Sequence, residues 1–278
     1  MRVCVVGGDD RLRLLNGLFQ KKGYKAGTWG QGSDDASKAL TRAQAVVLPF
    51  PRVSRDGFIP APNAKRPIPV HEVASLIGEG VWIMSGALDE ELAHTASKKD
   101  WRLLLPSSDP AFEEQNAMPS AEGAVYAAMQ KADYTLCGSK CLIIGPGRIG
   151  RELAKMLLGI GAKVFMAARR EEALQKAAEM GYVPVSMEAL PIAAREADIL
   201  FNTAPAMVAG EAVMAALPVH ALAIDLASAP FGIDLEAAKR HGINAWREGG
   251  IPGRYAPLTA ARLLFDYFEA HTRSDSCE

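Results

Sequence analysis

The stretch from Lys140 to Arg170 constrains the fold of this chain more than any other. An apolar run, Cys141 to Ile144, enters the hexamer Gly145-Pro146-Gly147-Arg148-Ile149-Gly150, a G-x-G-x-x-G. Ile149, Leu153, Met156, Leu157 and Ile160 follow at helical spacing on one face, Gly161 suits a helix C-cap, and a second apolar run covers Val164 to Ala167. A glycine hexamer occurs by chance, but one set between strand and helix is a dinucleotide-binding fingerprint. Gly145 permits the tight turn, Gly147 lets a pyrophosphate approach the backbone, and Gly150 allows close helix–strand packing. The free N–H groups of the helix start, at Arg148 and Ile149, face the anion. The plain alternative is a βαβ unit with no ligand, which the complete strand–turn–helix–strand context disfavours.

The end of the second strand indicates which dinucleotide is held. An NAD site carries Asp or Glu there, to hold the ribose 2′-hydroxyl. This chain reads Ala167-Ala168-Arg169-Arg170. Guanidinium groups pair with a 2′-phosphate bidentately, whereas a carboxylate would repel it. Ala168, Arg169 and Arg170 therefore favour NADP, with NAD the alternative if both arginines are solvated.

The 278 residues suffice for one large domain or two ordinary ones. A hydrophobic fraction of 49% with 23% charged residues is that of a globular protein. The formal net charge of −1 gives no support for nucleic acid or an anionic membrane as partner. No apolar run approaches transmembrane length, and MRVCVVGG reads as a first strand rather than a signal peptide. Cys4, Cys137, Cys141 and Cys277 form no C-x-x-C pair, so they are expected to be reduced thiols in a cytoplasm, with no metal site.

Alternating strand and helix predicts an α/β protein with two doubly wound parallel sheets, the second a Rossmann domain. Residues 1–118 read as the first domain. Its strands are Val3 to Val6, Ala45 to Leu48, Val81 to Met84 and Leu103 to Leu105, with a helix capped by Asp9 or Asp10 and another at Leu88 to Ser97. Phe50 to Pro69 carries five prolines and is expected to have no regular structure. An amphipathic stripe from Ala121 to Ala132, preceded by Asn116 to Ser120, predicts a connecting helix. Residues 119–257 then form the dinucleotide domain, with strands at Tyr182–Val185, Asp198–Asn202, Leu222–Leu226 and Ile243–Trp246 after the opening βαβ unit. Gly249 to Gly253 reads as a flexible connection. A helix capped by Thr259 returns to the first domain, so that 258–278 belongs with 1–118, and the polar tail from His271 is expected to be disordered.

Ligands of such sheets lie beyond the carboxyl ends of the strands. In the first domain that rule gathers Gly7 to Arg11, Pro49 to Arg55, Ser85-Gly86 and Ser107 to Asp109 around one mouth suited to a small anion. In the second it brings Asn202, Thr203, Ala204 and Pro205 on one strand end, and Asp225 and Leu226 on the next, to the cofactor's nicotinamide end. Ordinary turn chemistry is the alternative for both sets.

An ordered series of motifs along nearly the whole chain resembles the A-subunit family of dipicolinate synthase. It comprises Gly7-Gly8-Asp9-Asp10-Arg11, Leu48-Pro49, Asp56-Gly57, Ser85-Gly86, the linker residues Asn116, Pro119, Glu122 and Gly123, Phe201 to Pro205, Asp225 to Ser228, and Pro252 to Ala260. Two positions depart from that family's pattern. Pro230-Phe231-Gly232 stands where relatives tend to have P-G-G, and Leu258 where they tend to have lysine. The resemblance implies an NADP-linked step that makes dipicolinate (pyridine-2,6-dicarboxylate) from a dihydro- or hydroxytetrahydrodipicolinate precursor. It also implies a partner, the flavoprotein-like B-subunit of dipicolinate synthase, and action in the mother-cell cytoplasm of a spore-forming bacterium. A homo-oligomer is also expected.

For a ring dicarboxylate, Arg11 is the first choice of carboxylate clamp and Arg254 the second. Ser85, Asn116, Ser120 and Glu122 could supply hydrogen bonds, with Glu122 a candidate proton acceptor. No histidine stands out as a base. That disfavours a 2-hydroxy-acid or amino-acid dehydrogenase, whose histidine would lie near Gly249 to Gly253. A third reading is a non-catalytic, cofactor-binding regulatory subunit.

Overall fold

Short apolar runs without polar alternation form strands buried on both faces. The first sheet of the computed structural model, which describes residues 1–32, 37–53 and 56–273, is built from such runs. Arg55, Cys277 and the tail beyond 273 lie outside the described residues. Contacts divide the chain into Met1–Asn116 with Pro252–Glu278 as one unit, and Ala117–Ile251 as the other.

In the first unit, β1 (Arg2–Val6) leads through α1 (Asp10–Lys21) to β2 (Lys25–Trp29), α2 (Ser37–Thr41) and β3 (Ala45–Val47). The pair β4 (Phe58–Ile59) and β5 (Ile68–Pro69) precedes α3 (Val70–Leu76), β6 (Trp82–Met84), α4 (Glu90–Lys98) and β7 (Arg102–Leu104). Five strands lie in the order β2-β1-β3-β6-β7, and every recorded pairing among them is parallel. Alternation along β1 splits the core, with Cys4 and Val6 facing one apolar cluster and Val3 and Val5 the other. Asp9 is the residue that caps α1, its carboxylate accepting from the Arg11 N–H at 3.1 Å.

Several sequence expectations are corrected here. β2 was not anticipated, because KAGTW holds glycine and lysine at a partly exposed edge. Phe50 to Pro69 is not wholly irregular: β4 and β5 pair antiparallel within it. The connecting helix is the second part of α5 (Pro110–Lys131), which runs through Pro119. A proline there removes one ladder N–H yet leaves the helix continuous. Gly249 to Gly253 is not simply a flexible link, since α11 (Ile251–Tyr255) starts inside it. Thr259 is not the cap of α12 (Pro257–Thr272): Ala256 holds that position and Pro257 occupies the first turn, where its missing N–H costs nothing.

The second unit runs β8 (Lys140–Ile144), α6 (Arg148–Ile160), β9 (Lys163–Ala168), α7 (Glu171–Glu179), β10 (Val183–Ser186), α8 (Leu190–Ala194) and β11 (Ile199–Asn202). It continues with α9 (Glu211–Met214), β12 (Leu222–Asp225), α10 (Leu235–Arg240) and β13 (Asn244–Arg247). Its six-stranded sheet, β10-β9-β8-β11-β12-β13, has the doubly wound order of a full dinucleotide domain. Gly161, at φ 94°, closes α6 in the left-handed conformation expected of a C-cap glycine.

Within the first unit α12 packs on α1 through an aromatic cluster. The Phe19 and Phe268 rings meet edge to face at 4.9 Å between centroids, and Phe265 lies 5.4 Å from Phe19. Phe268 is fully buried. Phe268→Ala is expected to lower the stability of this unit by about 3–5 kcal/mol, measured by urea titration of the emission of Trp29, Trp82 and Trp101.

Candidate cofactor and substrate sites

The turn from β8 into α6 has the geometry of an anion cradle. Gly145 adopts φ 103°, a conformation open to glycine at little cost. A Cβ on Gly150 would lie 2.0 Å from the Gly145 carbonyl oxygen, so helix and turn touch there. Gly147 is the contrasting case: a Cβ there would meet nothing within 4 Å. No packing in the chain demands that glycine, and the open space is where a pyrophosphate would approach. Gly147 is also the N-cap of α6 and offers no side-chain acceptor to the first-turn N–H groups, including those of Arg148 and Ile149. These residues fit a dinucleotide.

Arg169 and Arg170 follow Ala168, the buried last residue of β9, and both are exposed. Arg170, with Arg151 and Lys176, rims a cavity of about 310 Å³ between α6 and α7, floored by Met166, Ala177 and Tyr182.

Thr203, Asn202 and Asp225 lie at the carboxyl ends of β11 and β12, where the sequence places them, but their polar atoms are engaged by the chain. The Thr203 hydroxyl has the Ile144 and Gly145 carbonyl oxygens both at 3.0 Å, bracing the glycine turn. Asn202 and Asp225 are 0% and 1% exposed. The Asn202 amide donates to Asp225 Oδ1 at 2.8 Å and to the Ala204 carbonyl at 2.9 Å, while its Oδ1 accepts from the Ala204 N–H at 3.2 Å. The Asp225 carboxylate further accepts from the N–H groups of Ala227 (3.2 Å), Gly232 (2.9 Å) and Ile233 (3.0 Å). One carboxylate thus folds the whole 225–233 loop onto the strand ends. Gly232 is required by proximity, since a Cβ there would lie 2.2 Å from Asn202 Nδ2. Leu226 donates its N–H to the Asn202 carbonyl at 2.8 Å, Ala204 is partly buried and Pro205 is exposed.

Sequence reasoning missed a related feature, the pairing of Phe231 with Arg247. Phe231 adopts φ 67°, and the Arg247 guanidinium carbon lies 4.0 Å from its ring centroid. A residue with a side chain in that conformation costs roughly 1–3 kcal/mol. The departure from P-G-G was the one signal for it in the sequence.

In the first unit, Arg11 is 7% exposed and clamps a carboxylate of its own chain. Its Nη2 donates to Asp9 Oδ2 at 3.0 Å and to the Phe50 carbonyl at 3.3 Å, and the guanidinium lies over the Phe50 ring. Gly253 presses on this pair, for a Cβ there would come 2.2 Å from Asp9 Oδ2 and 3.0 Å from Arg11 Nη2. Ser85 is buried, and its hydroxyl donates to the Gly86 carbonyl at 2.9 Å. Arg254 is exposed beside the Tyr255 ring, and Asn116 is partly buried on α5. In the second unit's part of α5, Ser120 is buried and Glu122 exposed.

The histidines occupy surface positions. His220 pairs with Asp198 at 3.1 Å and His241 with Glu211 at 2.6 Å. Burial pushes the Cys4 thiol up to about 12 and the Cys141 thiol to about 11, so both stay protonated and inert. Among the described residues no group of three or more His, Cys, Asp or Glu could hold a metal, and no helix is long and apolar enough to cross a membrane.

A doubly wound sheet with an uncapped helix start behind a glycine turn defines an NAD(P)-dependent oxidoreductase of Rossmann type. Residues 113–223 match the D-isomer specific 2-hydroxyacid dehydrogenase NAD binding domain, and residues 2–105 match the N-terminal domain of the dipicolinate synthase A-subunit. The A-subunit of dipicolinate synthase from Bacillus subtilis (strain 168) is 27% identical over 288 aligned positions, covering 95% of this chain and 93% of the relative. The crystal structure of the Bacillus halodurans A-subunit superposes with a TM-score of 0.86 at 28% identity, covering 96% of each chain. That of the Bacillus subtilis protein gives 0.84 at 25% identity, over 99% of this chain and 96% of the other. The chain belongs to the A-subunit family of dipicolinate synthase.

Asp225→Asn would set an amide N–H₂ against N–H donors. It is expected to cost the second unit about 1–3 kcal/mol, read from Trp246 emission during urea unfolding. Gly150→Ala is expected to abolish dinucleotide binding, measured by titration with NADPH.

Proposed function

We propose that this chain is the dinucleotide-binding subunit of a dipicolinate synthase, carrying out the NADP-linked oxidation of a dihydro- or hydroxytetrahydrodipicolinate precursor to pyridine-2,6-dicarboxylate. The observation that carries this reading is the open, uncapped start of α6 behind Gly145 to Gly150, in a chain whose first 105 residues match the family's own N-terminal domain. When bound, the cofactor would accept a hydride from a ring carbon, and loss of a ring proton would complete aromatisation.

The chain's own residues bind and orient. The amides of Arg148, Ile149 and Gly150 would take the pyrophosphate. Arg169 and Arg170 would take a 2′-phosphate, which makes NADP the preferred cofactor. Thr203 and Asn202 serve by holding the turn and strand end in place. Arg11 is the first-unit candidate for a substrate carboxylate, oriented by Asp9 and Phe50, with Arg254 second. Ser85 would need to release its bond to Gly86 to reach a ligand, whereas Asn116, Ser120 and Glu122 remain hydrogen-bonding candidates on α5. The relatives are each one component of a synthase with more than one, which supports a flavoprotein-like B-subunit in partnership with this chain. We place the pair in the cytoplasm of a sporulating cell.

The test is the purified chain with precursor and NADP, with and without the B-subunit, following the absorbance of reduced cofactor and of aromatic product together. Both are expected to rise in step; no cofactor-dependent signal under either condition would refute the proposal. Replacing Arg169 and Arg170 by alanine is expected to weaken NADPH about tenfold or more, roughly 1.4 kcal/mol, with NADH little changed, measured by fluorescence titration. Asp9 already neutralises Arg11, which gives the non-catalytic reading a specific footing. Arg11→Ala separates the two: lost turnover with intact NADPH binding supports a substrate pocket, and unchanged turnover in the reconstituted pair supports a regulatory role.

A further inference from the structure

Phe231 carries a bulky ring at φ 67°, where glycine would sit without strain. Its loop cannot drift to relieve this, because Asp225 binds the N–H groups of Ala227, Gly232 and Ile233. The half-buried ring packs against the guanidinium of Arg247 at 4.0 Å. Arg247 ends β13, in register with Asp225 at the end of β12, so the stack stands at the carboxyl ends of these two strands. Open α/β sheets bind their ligands at that edge.

Arg247 is exposed, and among the described residues it forms no ion pair. A guanidinium stacked by its face keeps its edge N–H groups available, in the fork that matches a carboxylate. Sheet order decides which anion this cation can serve. The pyrophosphate cradle follows β8 and the Arg169–Arg170 pair follows β9, whereas β12 and β13 lie beyond β11 on the other side of the sheet. Both phosphate positions of the cofactor are accounted for elsewhere.

We infer that Arg247 contacts a carboxylate of the substrate ring and that Phe231 is its positioning residue, holding the guanidinium at the mouth of the second unit. The inference rests on the reading of a ring dicarboxylate as substrate. It assigns to Phe231 a specificity role for which its backbone conformation is retained.

The test is calorimetry of pyridine-2,6-dicarboxylate binding to the full-length, NADP-saturated protein, with NADPH affinity and thermal midpoint measured beside it. Arg247→Met is expected to weaken the dicarboxylate about tenfold or more, with Arg247→Lys between it and wild type. Phe231→Gly is expected to weaken it severalfold while the thermal midpoint holds or rises, since glycine relieves the left-handed strain. A purely structural role predicts the opposite pattern for Phe231→Gly, a lower midpoint with unchanged dicarboxylate affinity, and that result overturns the inference. So does a wild type that binds no dicarboxylate, or an Arg247→Met that loses NADPH affinity equally. A wild type that binds the dicarboxylate but produces no reduced cofactor with any precursor would instead refute the oxidation, leaving the anion assignment standing.

Discussion

The buried pair of Asn202 and Asp225 is the interaction on which the second unit's mouth depends. Two adjacent strands end in side chains that bond each other at 2.8 Å and then spend their remaining capacity on backbone. A buried carboxylate with fewer partners would be destabilising, whereas one with several hydrogen bonds fixes its surroundings firmly. The Asn202 amide shapes the turn to Ala204, and Asp225 gathers the loop to Ile233. Thr203 carries the constraint to the glycine turn through the Ile144 and Gly145 carbonyls. Three polar residues at strand ends therefore build the rim of a site through the backbone they hold.

The same economy governs the first unit. Arg11, Asp9, the Phe50 carbonyl and Gly253 form a cluster at the carboxyl ends of β1 and β3. The cluster ties together segments distant in sequence, and the return of Pro252–Glu278 to this unit supplies Gly253. Packing of Phe268 on Phe19 anchors that return. In both units a charged group is oriented by neighbours before any ligand arrives, which lowers the ordering cost of binding.

Much of this was legible in the sequence. Period and punctuation located β8, α6 and β9, since an apolar run, three spaced glycines and a helical stripe admit few other folds. The family resemblance was legible because its motifs are strand ends, where side-chain chemistry is least interchangeable. What escaped was set by tertiary contact. KAGTW becomes β2 by pairing with β1, not by its own propensity. Pro119 sits inside α5 although proline favours a boundary, and Gly249 to Gly253 leads into a helix despite three glycines. The roles of Asn202 and Asp225 were misjudged for a related reason: a polar strand end announces a site, but sequence does not say whether its atoms face ligand or backbone. Phe231 could be flagged only as a departure, its partner Arg247 being sixteen positions away.

Amide hydrogen exchange in the cofactor-free protein tests the central claim most directly. If the Asn202–Asp225 network preforms the mouth, the amides of Ala227, Gly232 and Ile233 are protected before any dinucleotide is added, and NADP adds protection chiefly at the Gly145 to Gly150 turn and the start of α6. Loop-like exchange at Ala227, Gly232 and Ile233 in the free protein, slowed only when cofactor binds, would contradict a preformed mouth.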